Sequence, residues 1–211
     1  MAISITLEKL FIVPAGAAII ALGNAGALQA AVLTFDDVSN TSSADFINSN
    51  YGEFNWNNFG VVNRILHPGS GYDRGTVSGN YTAFNAFADP ASLSSLNLFD
   101  FNGAYLTAAW NNGLSVVVEG LKNGISLYSK TVVVDTTSPT WFDFNFFGVD
   151  QLKFSSYGGT NPGNLGGAGT HFAMDNFTFN EKKSVPEPAS TLGLLALGAM
   201  GAGSMLKRQR K

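Results

Sequence analysis

The chain has 211 residues, a formal net charge of −3 and no cysteine, which leaves room for one domain of ordinary size and excludes disulfides, thiolate catalysis and thiolate-bound zinc. Charged residues make up only 13%, against 12% aromatics, 24 glycines and 17 phenylalanines. That mix fits an all-β chain with many tight turns and argues against disorder. Lys207, Arg208, Arg210 and Lys211 crowd the last five positions, so the middle is acidic and ill-suited to nucleic acid.

Residues 1–30 read as a signal peptide: Lys9 precedes an apolar stretch that ends in small residues. Glu8 offsets Lys9, and Pro14 and Gly16 interrupt the run. Cleavage after Ala27 satisfies the small-x-small rule and cleavage after Ala30 serves equally; an uncleaved anchor is the alternative. Signal peptidase and the general secretion machinery are the partners this segment predicts.

Residues 31–180 read as a single antiparallel β-sandwich, because short β-branched and aromatic runs alternate with Gly, Asn and Ser clusters. Residues 31–35 form the first predicted strand, and 43–50 a short helix. Further strands are expected at 81–87, 93–99 and 104–110. The strongest signal is a hairpin of strands 114–121 and 125–134 joined by Lys122-Asn123-Gly124, whose Asn-Gly adopts positive φ at low cost. Phe142, Phe144 and Phe146 share one face of the next strand and Trp141, Asp143 and Asn145 the other, so the phenylalanines are assigned to the core. Leu152 and Phe154 point inward by the same rule. In the last strand, 171–179, Phe172 and Met174 differ in parity from Phe177 and Phe179, which predicts a bulge near Asp175-Asn176.

Residues 181–191 form a linker containing Val185-Pro186-Glu187-Pro188, where two prolines forbid helix interior. Residues 192–206 could span roughly 22 Å as a helix, short of the ~30 Å hydrocarbon core, and four glycines weaken them further as a permanent anchor. The four terminal cations act as a cytoplasmic stop, which leaves the domain outside. The Pro186-Glu187-Pro188 triplet, the Gly-rich apolar helix and the basic end together resemble the PEP-CTERM sorting signal of bacterial exported proteins, over residues 185–211. That resemblance implies recognition by an exosortase, a membrane-embedded cysteine protease or transpeptidase, and a transient inner-membrane stage before release to the surface or the extracellular matrix. An ordinary lasting anchor is the alternative.

AVLTFDDV, FDFNGAYLTAAWNNGLSVVVEG and GTHFAMDNFTF resemble a family of uncharacterised bacterial exported domains, and more distantly the jelly-roll sandwiches of carbohydrate-binding modules. The second resemblance implies a structural calcium held by Asp36 and Asp175; alternatively both cap turns, as does Asp37. Asn176 stands where a second acid might be expected, which lowers the charge such a site offers.

No metal-protease, nucleophile-elbow, P-loop or dinucleotide motif occurs, and the two histidines, His67 and His171, lie far apart. The expectation is a domain without catalysis. Extracellular polysaccharide is the expected ligand, stacked on aromatic faces with Asn and Asp at its hydroxyls. Trp56, Trp110, Tyr157 and His171 are the candidates. Core packing is the competing assignment for both tryptophans, and a satisfied structural imidazole for His171. A purely structural matrix component and, third, a secreted glycan-active enzyme are the alternatives.

Overall fold

The computed structural model describes residues 31–39 and 44–181. The predicted signal helix, the sorting segment with its apolar helix and basic end, and nearly all of the linker lie outside the described residues. Among those described, no helix is long and apolar enough to cross a membrane.

The elements are β1 (Ala31–Leu33), β2 (Asp45–Phe46), β3 (Asn55–Asn57), β4 (Phe59–Asn63), α1 (Gly71–Gly75), β5 (Tyr81–Asn85), β6 (Ala91–Ala108), β7 (Asn112–Lys122), β8 (Ile125–Val134), β9 (Thr140–Thr160) and β10 (Phe172–Phe179). Every named pairing is antiparallel, in the order β2-β4-β5-β10-β6-β9-β7-β8, with β1 on β10 and β3 on β6. The protein is therefore all-β, as its composition indicates.

The sheet curls back on itself, and one distance demonstrates it. β4 and β9 are separated by β5, β10 and β6, which in a flat sheet would set them ~19 Å apart at ~4.8 Å per strand. Yet the rings of Phe59 and Phe154 meet at 5.4 Å. The arrangement is consistent with a β-sandwich in which β6 and β9 pass from one layer to the other. Residues 101–106 of β6 pair with 140–146 of β9 in the first layer, and residues 91–94 with 151–154 in the second, with register shifts between them. Asn145 and Gly148 adopt positive φ in this corner, as strands that change layers require. Asp100 pins it by accepting the Gly148 amide at 2.8 Å.

Phe101 stacks on Phe144 at 4.9 Å and on Phe177 at 4.7 Å, joining strands across the core. Eight phenylalanines are fully buried. Each contributes about 1.5–3 kcal/mol, so packing replaces the disulfide staples that the composition excludes.

The hairpin forms as expected, with Asn123 and Gly124 at φ 50° and 77°. Leu152 and Phe154 point inward, and the register of β10 shifts after Asp175, with Asn176 at φ 49°. Other expectations need correction. The short helix over 43–50 is not formed in its described part: Asp45–Phe46 pairs with β4 and the Ile47 amide donates to the Phe59 carbonyl at 3.0 Å. Tertiary pairing overrides local propensity there. Strands 93–99 and 104–110 are one strand, β6, and 140–146 and 151–155 are one strand, β9.

Candidate functional site

Trp110 and His171 are brought together; Trp56 and Tyr157 lie elsewhere. Trp56 is a core side chain, with its indole N–H donating to the Tyr51 carbonyl at 2.9 Å. The rings of Phe35, Phe54, Phe59 and Phe177 surround it at 5.2–6.2 Å, so no face remains for a sugar. Tyr157 is 57% exposed on the outer side of β9, opposite Ser115.

Trp110 ends the turn after β6 and packs with Val62, Tyr72, Leu165 and Ala173 in a second, smaller core on the outside of the first layer. Two close approaches build it. A Cβ on Gly71 would lie 1.7 Å from the Ala108 carbonyl oxygen, so only glycine lets α1 seat on β6. A Cβ on Gly167 would fall 2.5 Å from the Trp110 ring, so only glycine lets the loop 161–171 close over it. Ser70 caps α1 by accepting the Tyr72 amide. An Arg64–Asp73 ion pair at 2.8 Å ties α1 to the preceding 3₁₀ turn. The Gly69 amide first, then the Arg64 guanidinium, hold the Asp73 carboxyl below its usual range against the opposing effect of burial. This frame sets His67 edge-on against Trp110 at 5.5 Å, with Tyr72 edge-on at 5.3 Å.

Between the loop and the sheet lies a cleft of about 400 Å³ lined by His67, Tyr72, Phe84, Trp110, Gly167 and His171. A neighbouring cavity of about 290 Å³ shares Phe84 and His171 and is rimmed by Phe46 and Phe87. The two adjoin at Ala44, Phe84 and His171 and together form the groove. Burial lowers the His171 imidazole pKa below its ordinary value, and its Nδ1 has no hydrogen-bond partner; the neutral ring prevails at pH 7. Sequence reasoning missed Phe46, Phe84 and Phe87. The expected strand 81–87 ends at Asn85, and Asp89-Pro90 is the turn signal that places Phe87 in the 3₁₀ turn Ala86–Ala88 after it.

Asp36 and Asp175 converge on one segment, 77–81, ahead of β5. Asp175 is fully buried. Its Oδ2 accepts the amides of Val77 (2.6 Å) and Ser78 (3.0 Å), and its Oδ1 accepts the Asn176 amide (2.7 Å) and the Ser78 hydroxyl (3.3 Å). Asp36 Oδ1 accepts the amides of Asn80 (2.7 Å) and Tyr81 (3.1 Å). Gly79 lies against that carboxylate, where a Cβ would be 2.0 Å from Oδ1. Asp37 accepts the Tyr51 hydroxyl at 2.7 Å, and burial followed by that bond raises the Tyr51 pKa. Amide hydrogens therefore occupy both oxygens of Asp175 and one oxygen of Asp36. Three amides donate to the two oxygens of Asp175, while the one Ser78 hydroxyl hydrogen lies nearer the Asn176 side-chain oxygen (2.7 Å), and no cluster of three acidic or imidazole side chains that could hold a metal ion exists among the described residues. This arrangement is that of the turn-capping alternative, and a calcium ion would have to displace these amides to bind.

The class defined so far is an all-β, sandwich-like domain with an aromatic groove on one outer face. Residues 184–211 match the PEP-CTERM protein-sorting motif, a signal that implies export, transient membrane anchoring and exosortase processing. Comparison with curated proteins yields no match. Among solved structures, a DUF4465 family protein from Bacteroides caccae is similar at 14% identity and a TM-score of 0.53, covering 73% of this chain and 100% of its own. TmCBM61 in complex with β-1,4-galactotriose is similar at 14% identity and a TM-score of 0.40, covering 71% of this chain and 94% of its own. A DUF4465 family protein from Bacteroides ovatus, at 12% identity, 0.40, and coverage of 73% and 96%, is the third. The first similarity establishes a shared fold and no activity; at 0.40 the other two carry no argument.

Proposed function

We propose that this is an exported surface or extracellular-matrix protein, processed by an exosortase at residues 184–211, whose β domain binds extracellular polysaccharide without catalysis. The sorting motif supports the first part. The observation that carries the second is the groove itself, with the half-buried Phe84 and the exposed Phe46 and Phe87 along it, the buried Trp110 and Tyr72 supporting its floor, and two imidazoles among its polar groups. Apolar walls with a few directional polar groups are what a sugar's C–H faces and hydroxyls require.

Two measurements test the two parts. Intact mass of the protein from its native cells should lack residues 1 to about 30 and the segment after Pro188; a retained apolar tail would defeat the sorting reading. Depletion of the protein from solution by insoluble polysaccharide should occur with at least one polymer and diminish in a His171→Ala variant that keeps its fold. A structural matrix role is favoured by one observation only. β8 ends the strand order and exposes Ile125, Leu127 and Val133, an edge suited to self-association. Concentration-dependent oligomerisation with no polysaccharide depletion would support that role instead.

A further inference from the structure

We infer that Phe46 and Phe87 form a preformed stacking platform that extends the groove, so that the site takes a neutral glycan chain several units long instead of a single sugar. This rests on the polysaccharide reading and adds to it the class of ligand and the residues that select it.

The platform is built at a cost to the fold. Phe87 adopts φ 59°, ψ 10°, and Ala88 follows at φ 62°. Two consecutive residues with side chains in the left-handed region are unfavourable, and a bulky phenylalanine there is an outlier. The turn is held there from both sides. Asn58 donates through Nδ2 to the carbonyls of Ala86 (3.0 Å) and Pro90 (3.1 Å), and its own carbonyl accepts the Ala86 amide (2.9 Å). Asn85, fully buried, donates to the Asp89 carbonyl (3.2 Å) and accepts the Phe172 amide (2.8 Å), which ties the turn to β10.

What this clamp achieves is the presentation of an apolar ring to water. Phe87 is 74% exposed and Phe46, on β2, 59% exposed, with their centroids 6.3 Å apart and 45° between planes. Strain and apolar exposure both oppose folding; the Asn58 and Asn85 hydrogen bonds offset the strain, and no described residue covers the exposed rings. Strained backbone that its surroundings over-determine is the mark of a binding surface. Because the rings already touch each other, nothing fits between them, so a ligand must stack along their outer faces.

The chemistry of the ligand follows from the lining. Among the described residues no lysine or arginine lines either lobe, and the one acid that does, Asp45, is engaged by the Ser39 hydroxyl. A uronate or sulfated chain would therefore find no lysine or arginine among them. An uncharged sugar finds aromatic faces for its C–H surface. The two lobes, about 400 and 290 Å³, adjoin at Phe84 and His171, so successive units of one chain would occupy one lobe and then the other.

The test uses the full chain in mild detergent, with amylose, mixed-linkage β-glucan, xylan and alginate as probes, and then oligosaccharides of graded length from whichever neutral polymer binds. Affinity should rise at least tenfold from the monosaccharide to the tetrasaccharide. Phe87→Gly should lower tetrasaccharide affinity about tenfold or more while raising Tm by about 2–4 °C, because glycine relieves the positive φ. Phe46→Ala, at a half-exposed site, should weaken the same ligand without loss of fold. Neutral-chain binding that both variants leave unchanged would overturn the platform and leave the polysaccharide reading standing. Binding of alginate alone would overturn the neutral class. Binding of none of the polymers would overturn the polysaccharide reading and the platform with it.

Discussion

The two outer faces of the folded sheet obey the same alternation and meet different fates. On the first layer, Val62, Phe84 and Ala173 point outward and are covered by α1 and the glycine-rich loop, which creates a second core around Trp110 and, at its margin, the groove. On the second layer, Ser115, Val117 and Glu119 of β7 lie beside Tyr157, Ser155 and Lys153 of β9, and nothing described covers them. A solvated face is the ordinary condition of an antiparallel sheet. The covered face is therefore the informative one: where irregular segments lie on a sheet, they shape concavities that strands alone do not.

Substitution of one aromatic from each face sharpens that contrast. Trp110→Ala should destabilise the domain by about 3–5 kcal/mol, as a large buried ring removed from a closed core does, whereas Tyr157→Ala should change stability by less than about 0.5 kcal/mol. Urea unfolding of both variants measures the difference. If Tyr157→Ala proved the costlier, or alone removed polysaccharide binding, the site would belong on the bare face.

Next in size is a dependence on pH centred on the segment 77–81. Burial pushes the Asp175 carboxyl up to about 6 from an ordinary value of 3.8, against the pull of the Ser78, Val77 and Asn176 amides. The folded state then holds a proton that the unfolded chain has released, so this group's contribution to stability is greatest below about pH 4 and declines as pH rises toward 6. The decline amounts to about 2–3 kcal/mol at 1.36 kcal/mol per unit. Asp175→Asn should flatten the profile in that window. An unchanged slope in the variant would assign the dependence to another group.

Smallest of all is the expected response to calcium. With amides on both oxygens of Asp175 and on one oxygen of Asp36, millimolar calcium or a chelator is expected to shift Tm by less than about 1 °C. A rise of several degrees, the signature of an ion bound only by the folded state, would mean that the segment 77–81 yields its amides to a cation.

Much of the framework was legible because it depends on neighbours in the chain. The Asn123-Gly124 turn, the inward set Leu152 and Phe154, and the bulge near Asp175 follow from local φ preference and parity, and these survive in any fold that buries one side of a strand. The span of β6 and β9 was not legible, since a bend in the middle of a long strand looks in sequence like a gap between two short ones. β2 was misread because its pairing with β4 is non-local. The candidate residues divide on the same principle. Trp56, Trp110 and Tyr157 look alike beside their asparagines, glycines and serines, yet one lies in the main core, one under a loop and one in solvent.

By itself the sequence determined the class of fold and the sorting segment, because both rest on residue chemistry read in order: alternation in the strands, and prolines, apolar residues and terminal cations in series at residues 184–211. Tertiary structure decided where a ligand finds room. Parity states which side of a strand a ring occupies, but only packing brings Gly167 onto Trp110, turns the carboxylates of Asp36 and Asp175 onto backbone amides, and holds Phe87 out in water against its own backbone preference.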